Sequence, residues 1–421
     1  MNELSQKVPG IRSLKILSLL ILAILYGALA SNVYAARISG TFQTQTRGYQ
    51  DHDGEDHLEV APGLRINAYG LGIQGLSLHA YGMYYGDSVD DFSQSAQDRL
   101  YHAYFKYATA KSAFTVRAGR FFQFRGVAVG VLDGGEVSYQ LNPRWTVTAF
   151  GGQQGPLERN WDVDRQGDSP WFGGELRWNP TSFFGRKSVL SLSYSRQERD
   201  ENLLRHIAGL NFYVKVSPRW TSLNILHLNL EGSALRKAMT RWRYTCPKFQ
   251  FSLEGALIQP YSATYSWFSD FESNNIVRLK NTVEYHYRTN HWGAGLSSMV
   301  FGKDEIGFRT GPYVIFPYGR VGYSQSFGDH SNKNTLWGYL KYSPLPCLDL
   351  KAYAANMEYE WEALYVGTYE TTALSAGFTL RPSFLKRTAW DVEYQHYQTP
   401  EVESDRRVIA AFKWNFDYSG K

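Results

Sequence analysis

The sequence is poor in the residues and motifs that carry catalysis, metal binding and redox chemistry. It has 2 cysteines, Cys246 and Cys347, which lie far apart in predicted turns and belong to no CxxC or CxxCH pattern. HExxH and GxSxG are also absent, and the 10 histidines are scattered. These absences exclude a haem-attachment site, a zinc-hydrolase helix and a nucleophile elbow. We therefore expect no enzyme, no cofactor, no metal site and no disulfide.

Long apolar runs are missing as well, except near the N-terminus. Lys7, Arg12 and Lys15 precede the apolar run Ile16–Ala30, and Val33–Ala35 offers small residues at the −3 and −1 positions. This pattern predicts a cleaved signal peptide over residues 1–35 and a mature chain over residues 36–421. A membrane anchor is the alternative, but the run is short and a strand-like pattern follows it. Beyond it, no run of about 18 apolar residues exists, which excludes a helical membrane protein.

The composition of the mature chain is balanced in charge and rich in aromatic residues. Removing residues 1–35 changes the formal charge from +5 (44 basic, 39 acidic) to +3 (41 basic, 38 acidic), which gives no argument for nucleic acid as a partner. Aromatic residues make up 16%, with 30 Tyr and 12 Trp, although the mean hydropathy is only −0.39. This combination is typical of barrels whose lipid-facing and lumen-facing residues alternate.

Apolar and polar residues do alternate along the chain. In Val277–Arg288 one face carries Val277, Leu279, Val283, Tyr285 and Tyr287, and the other carries Arg278, Lys280, Thr282, Glu284, His286 and Arg288. In Asp98–Tyr107 we expect Tyr101, Ala103, Phe105 and Tyr107 to share one face, and in Leu64–Gly70 Leu64, Ile66 and Ala68 oppose Arg65, Asn67 and Tyr69. Alternation of this kind predicts strands with two different faces.

The connections between these segments alternate between short and long. Short ones usually contain proline: Leu141–Arg144, Asn179-Pro180, Ser217-Pro218, Cys246-Pro247, Phe316-Pro317, Ser343-Pro344 and Arg381-Pro382. Longer polar ones are Gln153–Asp168, Gln259–Asn275, Asp329–Asn334 and Thr399–Asp405. The pattern predicts an all-β, closed antiparallel transmembrane barrel of roughly 22 strands (about 18 to 22), with short periplasmic turns and longer outer loops. A soluble all-β protein is the alternative.

Two segments resemble known outer-membrane proteins. Val408, Ala410, Phe412, Trp414 and Phe416 alternate in the last strand, which resembles the C-terminal signal that bacterial barrels present to their assembly machinery. The likeness implies that Phe412, Trp414 and Phe416 form this signal, although five residues follow it. Ala118–Phe121, Gly126–Gly130 and Val131–Gly134 are similar to the hairpin of large porin-like proteobacterial barrels, including alginate-export-like ones. This implies a porin-like family of the cell outer membrane and names no substrate.

Other motifs have simpler interpretations. Gly70–Gly75 matches GxGxxG, but it joins two alternating strands and opens no helix, so we expect a turn. The acidic clusters Asp51–Asp56 and Asp87–Asp91 are expected to form a solvated outer rim. Calcium or cations that bridge lipopolysaccharide are the alternative, and the spacing matches no EF-hand.

If the apolar face meets lipid, the inner face gains an excess of basic side chains. The candidates that line the lumen are Lys106, Arg117, Arg177, Arg241, Arg243, Arg278, Lys280 and Arg288, and the wider set includes Arg65. Fewer carboxylates oppose them, among them Glu175, Glu284, Asp349 and Asp391. Salt bridges that stiffen the wall are one interpretation, and a lumen that favours anions is the other. Arg120 falls on the apolar face, so a bulge or a strand end is needed there.

Three functions remain open. The leading one is a porin-like channel for small hydrophilic, in particular anionic, solutes, because a barrel of this size encloses more space than side chains fill. The alternative is a structural sheath in a larger complex, such as a porin–cytochrome electron conduit with periplasmic or surface cytochromes as partners. A barrel enzyme is the third. In each case the barrel assembly machinery, outer-membrane lipid and lipopolysaccharide are the expected partners.

Overall fold

The computed structural model describes residues 37–50, 54–87, 98–156, 169–180, 187–199, 202–231, 234–259, 276–287, 292–302, 306–328, 332–360, 368–400 and 404–419. No helix among these residues is long and apolar enough to cross a membrane. The strands are β1 Arg37–Gln50, β2 Asp56–Tyr69, β3 Leu76–Tyr84, β4 Gly86–Asp87, β5 Asp98–Ala108, β6 Phe114–Arg125, β7 Ala128–Asn142, β8 Trp145–Gln154, β9 Pro170–Trp178, β10 Ser188–Arg199, β11 Asn202–Lys215, β12 Trp220–Asn229, β13 Ala234–Thr245, β14 Phe249–Ile258, β15 Ile276–Tyr287, β16 Trp292–Gly302, β17 Gly307–Phe316, β18 Gly319–Phe327, β19 Lys333–Leu345, β20 Leu348–Glu360, β21 Thr368–Leu380, β22 Thr388–Gln398 and β23 Asp405–Ser419.

The strands form one closed antiparallel sheet. Neighbours in sequence pair with each other, and β1 pairs with β23 from Arg37 opposite Ser419 to Tyr49 opposite Arg407. Because β3 and β4 both pair with β2, they count as one strand of the wall, and the barrel has 22 strands. The predicted fold class is confirmed. The pairing of β1 with β23 removes the two outer edges of the sheet, as a barrel surrounded by lipid requires.

The two faces of the wall differ as the alternation predicts. On β15, Leu279 is 50% exposed, whereas Glu284 on the opposite face is 8% exposed. The outer surface therefore presents apolar side chains although nothing covers it in the monomer. An apolar outer band with polar residues behind it is the property of a barrel whose surroundings are lipid.

Both ends of the barrel can be defined by their connections. The connections after β2, β5, β7, β9, β11, β13, β15, β17, β19 and β21 share one end, which we call the turn end. The other end is the loop end. Prolines lie in the turn-end connections at Pro143, Pro180, Pro218, Pro247, Pro317, Pro346 and Pro382. The predicted turn at Ser343-Pro344 is displaced: Pro344 ends β19, and Leu345 pairs with Leu348 around Pro346 and Cys347.

Aromatic side chains gather on the outer surface at the turn end. Trp145 stacks on Trp178 with ring centroids 5.7 Å apart, and Trp220 lies 5.0 Å from Tyr244. Such belts mark the level where lipid meets water. The sequence motif Gly70–Gly75 is the β2–β3 turn at this end, as expected, and Gly70, Gly72 and Gly75 all have positive φ. That the turn end faces the periplasm remains a prediction.

One expectation from the sequence is wrong in detail, and the last strand is longer than its alternating residues. In β5, Tyr81 pairs with His102 and Gly82 pairs with Leu100, so Tyr101 is the extra residue of a β-bulge. Its ring stacks on Tyr81 instead of sharing the outer face with Phe105.

At the C-terminus, β23 continues past Phe416, and Asp417 accepts hydrogen bonds from Arg37 at 3.0 and 2.7 Å. The segment after Phe416 is therefore part of the closing seam.

Candidate functional site

One hairpin leaves the wall. β5 pairs with β6 only as far as Arg120, and β8 pairs with β7 only from Leu132 onward. In the segment Phe121–Val131, the strand pairs run from Phe121 opposite Leu132 at the base to Arg125 opposite Ala128, and none of them reaches β5 or β8. We call this segment the inner hairpin.

Glycines and a sharp bend redirect the inner hairpin. Gly119 has φ +124°, a conformation that a residue with a Cβ rarely adopts, and a Cβ at Gly134 would lie 2.7 Å from the Cα of Gly152. Beyond the bend, Arg117 Nη2 donates a hydrogen bond of 3.3 Å to Gln123 Oε1. Six residues of extended strand span about 20 Å. The chain therefore folds back over its own stem.

The tip of the inner hairpin rests on the inside of the barrel. The backbone N–H of Val127 donates to Ser193 Oγ on β10 at 3.2 Å, and the Val127 side chain packs where Gly209 on β11 lacks a Cβ. Ser193 and Gly209 are paired, and they lie on the face opposite the exposed Leu192. Successive strand residues face opposite sides of a sheet. The tip therefore crosses β8 and β9 on the lumen side.

An apolar cluster holds the inner hairpin against the wall. Phe121, Ala128 and Leu132 of the hairpin and its base pack with Phe150 and Trp171, all of them buried. Trp171 also donates from Nε1 to Ser195 Oγ at 2.8 Å, which satisfies its only polar atom. This is the one apolar cluster of buried residues in the described part of the chain, and it lies within the lumen.

Ion pairs fix the stem and the tip together. Arg117 and Arg125 both contact Glu136 Oε1, at 2.7 and 3.2 Å, and Arg125 also lies 3.8 Å from Glu175. At the bend, Arg120 holds Asp133 through two hydrogen bonds of 2.6 and 2.7 Å, and both side chains are buried. This pair explains why Arg120 departs from the expected alternation. The inner hairpin is therefore clamped at its base and at its tip.

The other face of the inner hairpin is free. Phe122 and Phe124 are 53% and 74% exposed, and they alternate with the buried Phe121 and Gln123. Because the buried face is turned to the wall, the exposed face points into the open part of the lumen. The hairpin thus narrows the lumen and presents an apolar surface to its interior.

The basic residues predicted to line the lumen fall into two groups, those that pair with a carboxylate and those that do not. Arg241 and Arg278 both bond to Glu254, each at 2.6 Å, and Arg117 pairs with Glu136 as above. Arg177 donates to Asn179 at 3.2 Å near the turn end. Within the described residues, no carboxylate lies within 4 Å of the others on the inner face, Lys106, Arg243 and Lys280. Arg288 lies outside the described residues.

Metal and thiol chemistry find little support in the described residues. No group of three His, Cys, Asp or Glu side chains there is arranged to hold a metal ion. Most of the two acidic clusters lies outside the described residues, but Asp87 pairs with His57 Nδ1 at 2.9 Å. Cys246 and Cys347 are both free, in turn-end connections. Among the described residues, the candidate functional site is therefore the lining of the lumen.

The closed wall, the lipid-facing apolar surface and the charged interior define a transmembrane β-barrel of the outer membrane, porin-like in its architecture. No family model matches the chain, and neither does any curated protein. Among solved structures, the P pilus usher (PapC) translocation pore resembles it with 8% identity and a TM-score of 0.48, covering 90% of this chain and 99% of that one. Pseudomonas aeruginosa OccK2 (OpdF), crystallised with glucuronate, has 10% identity and a TM-score of 0.46, covering 90% and 96%. Pseudomonas aeruginosa OccK11 (OpdR) has 12% identity and a TM-score of 0.45, covering 91% and 96%. Likeness at this level does not indicate what this chain transports.

Proposed function

We propose that the chain is a passive outer-membrane channel for small hydrophilic solutes, with a preference for anions. The inner hairpin carries this proposal. A barrel of this size encloses more space than its side chains fill. The hairpin occupies the lumen on one side only, because Phe124 on its far face is 74% exposed. Such an arrangement narrows a pore without closing it.

The preference for anions rests on how the inner carboxylates are paired. Glu136 is shared by Arg117 and Arg125, and Glu254 is shared by Arg241 and Arg278. The group around Glu254 therefore keeps an excess positive charge, to which Lys280 adds another, whereas Glu175 balances the second arginine of the group around Glu136. Fixed positive charge along a pore raises the local concentration of anions. Screening over about 8 Å at physiological salt limits the effect to ions that pass near the wall.

The sheath role is less well supported. A sheath must leave its lumen free for a partner chain, whereas here a hairpin of the same chain is clamped into it by Arg125 and by the packing around Phe121. Co-purification distinguishes the two functions, because a sheath is expected to come out with cytochromes and a channel without them. We propose no enzymatic reaction for this barrel.

The reversal potential in a planar bilayer tests the anion preference. Under a KCl gradient, the unmodified protein should give the sign expected for chloride passage. Arg241→Glu combined with Lys280→Glu should move the potential towards cations, because it inverts two charges on the inner face. Lys111→Glu combined with Lys248→Glu is the matched control in turn-end connections, and it should leave the potential nearly unchanged. Cation preference in the unmodified protein would contradict the proposal.

A further inference from the structure

A second cluster on the inner wall lies nearer the loop end of β5 than Tyr104, the β5 residue that contacts Phe121 of the inner hairpin. It consists of Arg65 on β2, Tyr81 on β3, Tyr85 just after β3, and Arg99 and Tyr101 on β5. Arg65 is paired with Tyr81, and the bulge in β5 turns Tyr101 towards the same face. We call these five residues the tyrosine–arginine cluster.

The three rings and two guanidinium groups form one connected surface. Tyr81 and Tyr101 stack with ring centroids 4.7 Å apart and planes 24° apart, and the hydroxyl groups of Tyr101 and Tyr85 lie 3.0 Å from each other. Arg65 lies 4.7 Å above the Tyr81 ring, and Arg99 lies 4.4 Å above the Tyr85 ring. A guanidinium held against a ring keeps its position and its N–H donors at little further entropic cost.

The two arginines are not neutralised by carboxylates. Arg117, Arg125, Arg241 and Arg278 all have carboxylate partners on the inner face. For Arg65 and Arg99, by contrast, no carboxylate lies within 4 Å in the described part of the chain.

Arg99 has a further unmet hydrogen-bonding group. Its Nε is buried and donates to no acceptor among the residues that the structure describes. A buried donor without an acceptor costs about 1 to 3 kcal/mol, more when the group is charged. An anionic ligand would supply the missing acceptor.

We propose that the tyrosine–arginine cluster binds solutes that carry both a carboxylate and a flat aromatic ring. The carboxylate takes the N–H donors of Arg99 or Arg65, in the planar geometry that guanidinium groups favour. The ring packs against Tyr81 and Tyr101, which contribute offset or edge-to-face contacts. A small inorganic anion would use the charge and leave the rings unused. The position of the cluster in a lumen open to solutes rests on the proposed channel function.

The site also connects to the inner hairpin. Tyr104, further along β5, lies with its ring 5.8 Å from the ring of Phe121 in an edge-to-face contact. The cluster therefore lies on the loop-end side of this contact with the inner hairpin. The cluster would concentrate aromatic carboxylates at the loop-end side of the hairpin.

Calorimetric titration of the detergent-solubilised barrel with benzoate tests the site directly. Benzoate should bind, whereas cyclohexanecarboxylate, with the charge but no flat ring, and benzyl alcohol, with the ring but no charge, should bind at least about tenfold more weakly. Arg99→Gln should weaken benzoate binding about tenfold, and Tyr101→Leu should weaken it less. Arg243→Gln is the matched control and should have no effect, because this inner-face arginine has neither a carboxylate within 4 Å nor a ring beneath it in the described part of the chain.

Three outcomes would overturn the site: equal affinity for cyclohexanecarboxylate, an unchanged affinity in Arg99→Gln, or a loss of equal size in Arg243→Gln. Arg99→Gln should keep the heat-modifiable gel mobility of the unmodified barrel, which separates loss of binding from loss of folding. The titration needs no ion current. A barrel that binds benzoate and does not conduct contradicts only the channel function, and one that conducts without binding contradicts only the site.

Discussion

Replacing Phe121 by alanine should release the inner hairpin and widen the pore. Phe121 is 1% exposed and packs with Leu132 and Trp171 in the apolar cluster. Removing a buried phenylalanine side chain costs about 3 to 5 kcal/mol. A tenfold change in population corresponds to about 1.4 kcal/mol, so the undocked population should rise by about 100-fold or more. Since Phe121 pairs with Leu132 at the base of the hairpin and with no residue of β5, the closed wall should remain intact.

Single-channel recording in planar bilayers measures the effect. Phe121→Ala should raise the conductance and the noise of the open channel, with unchanged heat-modifiable mobility on gels. Phe124→Ala is the matched control, because it removes the same side chain from the exposed face of the same hairpin. It should raise the conductance only slightly. Equal effects of the two substitutions would refute the docked hairpin.

A cross-link provides the complementary test. The Val127 side chain lies against Gly209, so cysteines at these two positions should form a disulfide under oxidation in a background without the native cysteines. Combined with Phe121→Ala, the oxidised form should return to the low conductance and the reduced form should not. No cross-link in the otherwise unmodified hairpin would show that its tip does not rest on β11.

The remaining predictions concern orientation and closure. If the turn end is periplasmic, a membrane-impermeant maleimide should label Cys246 and Cys347 only after the outer membrane is permeabilised, and labelling in intact cells would reverse the orientation. The backbone N–H of Lys248 lowers the pKa of the Cys246 thiol, so more thiolate is present at a given pH and Cys246 labelling should continue to a lower pH than for an ordinary thiol. Deleting Lys413–Lys421 should block membrane insertion, because the pairing of β23 with β1 is lost. Deleting Asp417–Lys421 should allow insertion but lower the unfolding temperature, because it removes the ion pair between Arg37 and Asp417. Unchanged thermal unfolding would show that this part of the seam is dispensable.

Local patterns in the sequence were sufficient to predict the wall. Lipid on one side and a polar lumen on the other impose alternation on each strand, and β15 shows this most clearly, with Leu279 outside and Glu284 inside. The position of proline is also informative, because its missing N–H favours connections and strand ends, although Pro62 and Pro312 lie inside β2 and β17. Strand number and closure follow from the same two signals.

Departures from alternation were beyond the reach of the sequence. The bulge at Tyr101 shifts the pairing by one residue, and nothing in the neighbouring residues marks it. The inner hairpin depends on contacts between distant strands, such as Val127 with Ser193, which no local pattern reveals. The sequence nevertheless contains two signs of the inner hairpin: Arg120, which does not fit the alternation of apolar and polar residues, and the glycines Gly119 and Gly134. Both mark the bend at which the hairpin leaves the wall.

The most direct test of the central claim is a conductance recording of the purified, unmodified protein in a planar bilayer bathed in KCl. A channel narrowed by its own hairpin should insert in discrete steps of uniform size, each smaller than the steps of the Phe121→Ala variant. A correctly folded, heat-modifiable barrel that inserts without any current would contradict the channel function and favour a sealed structural role.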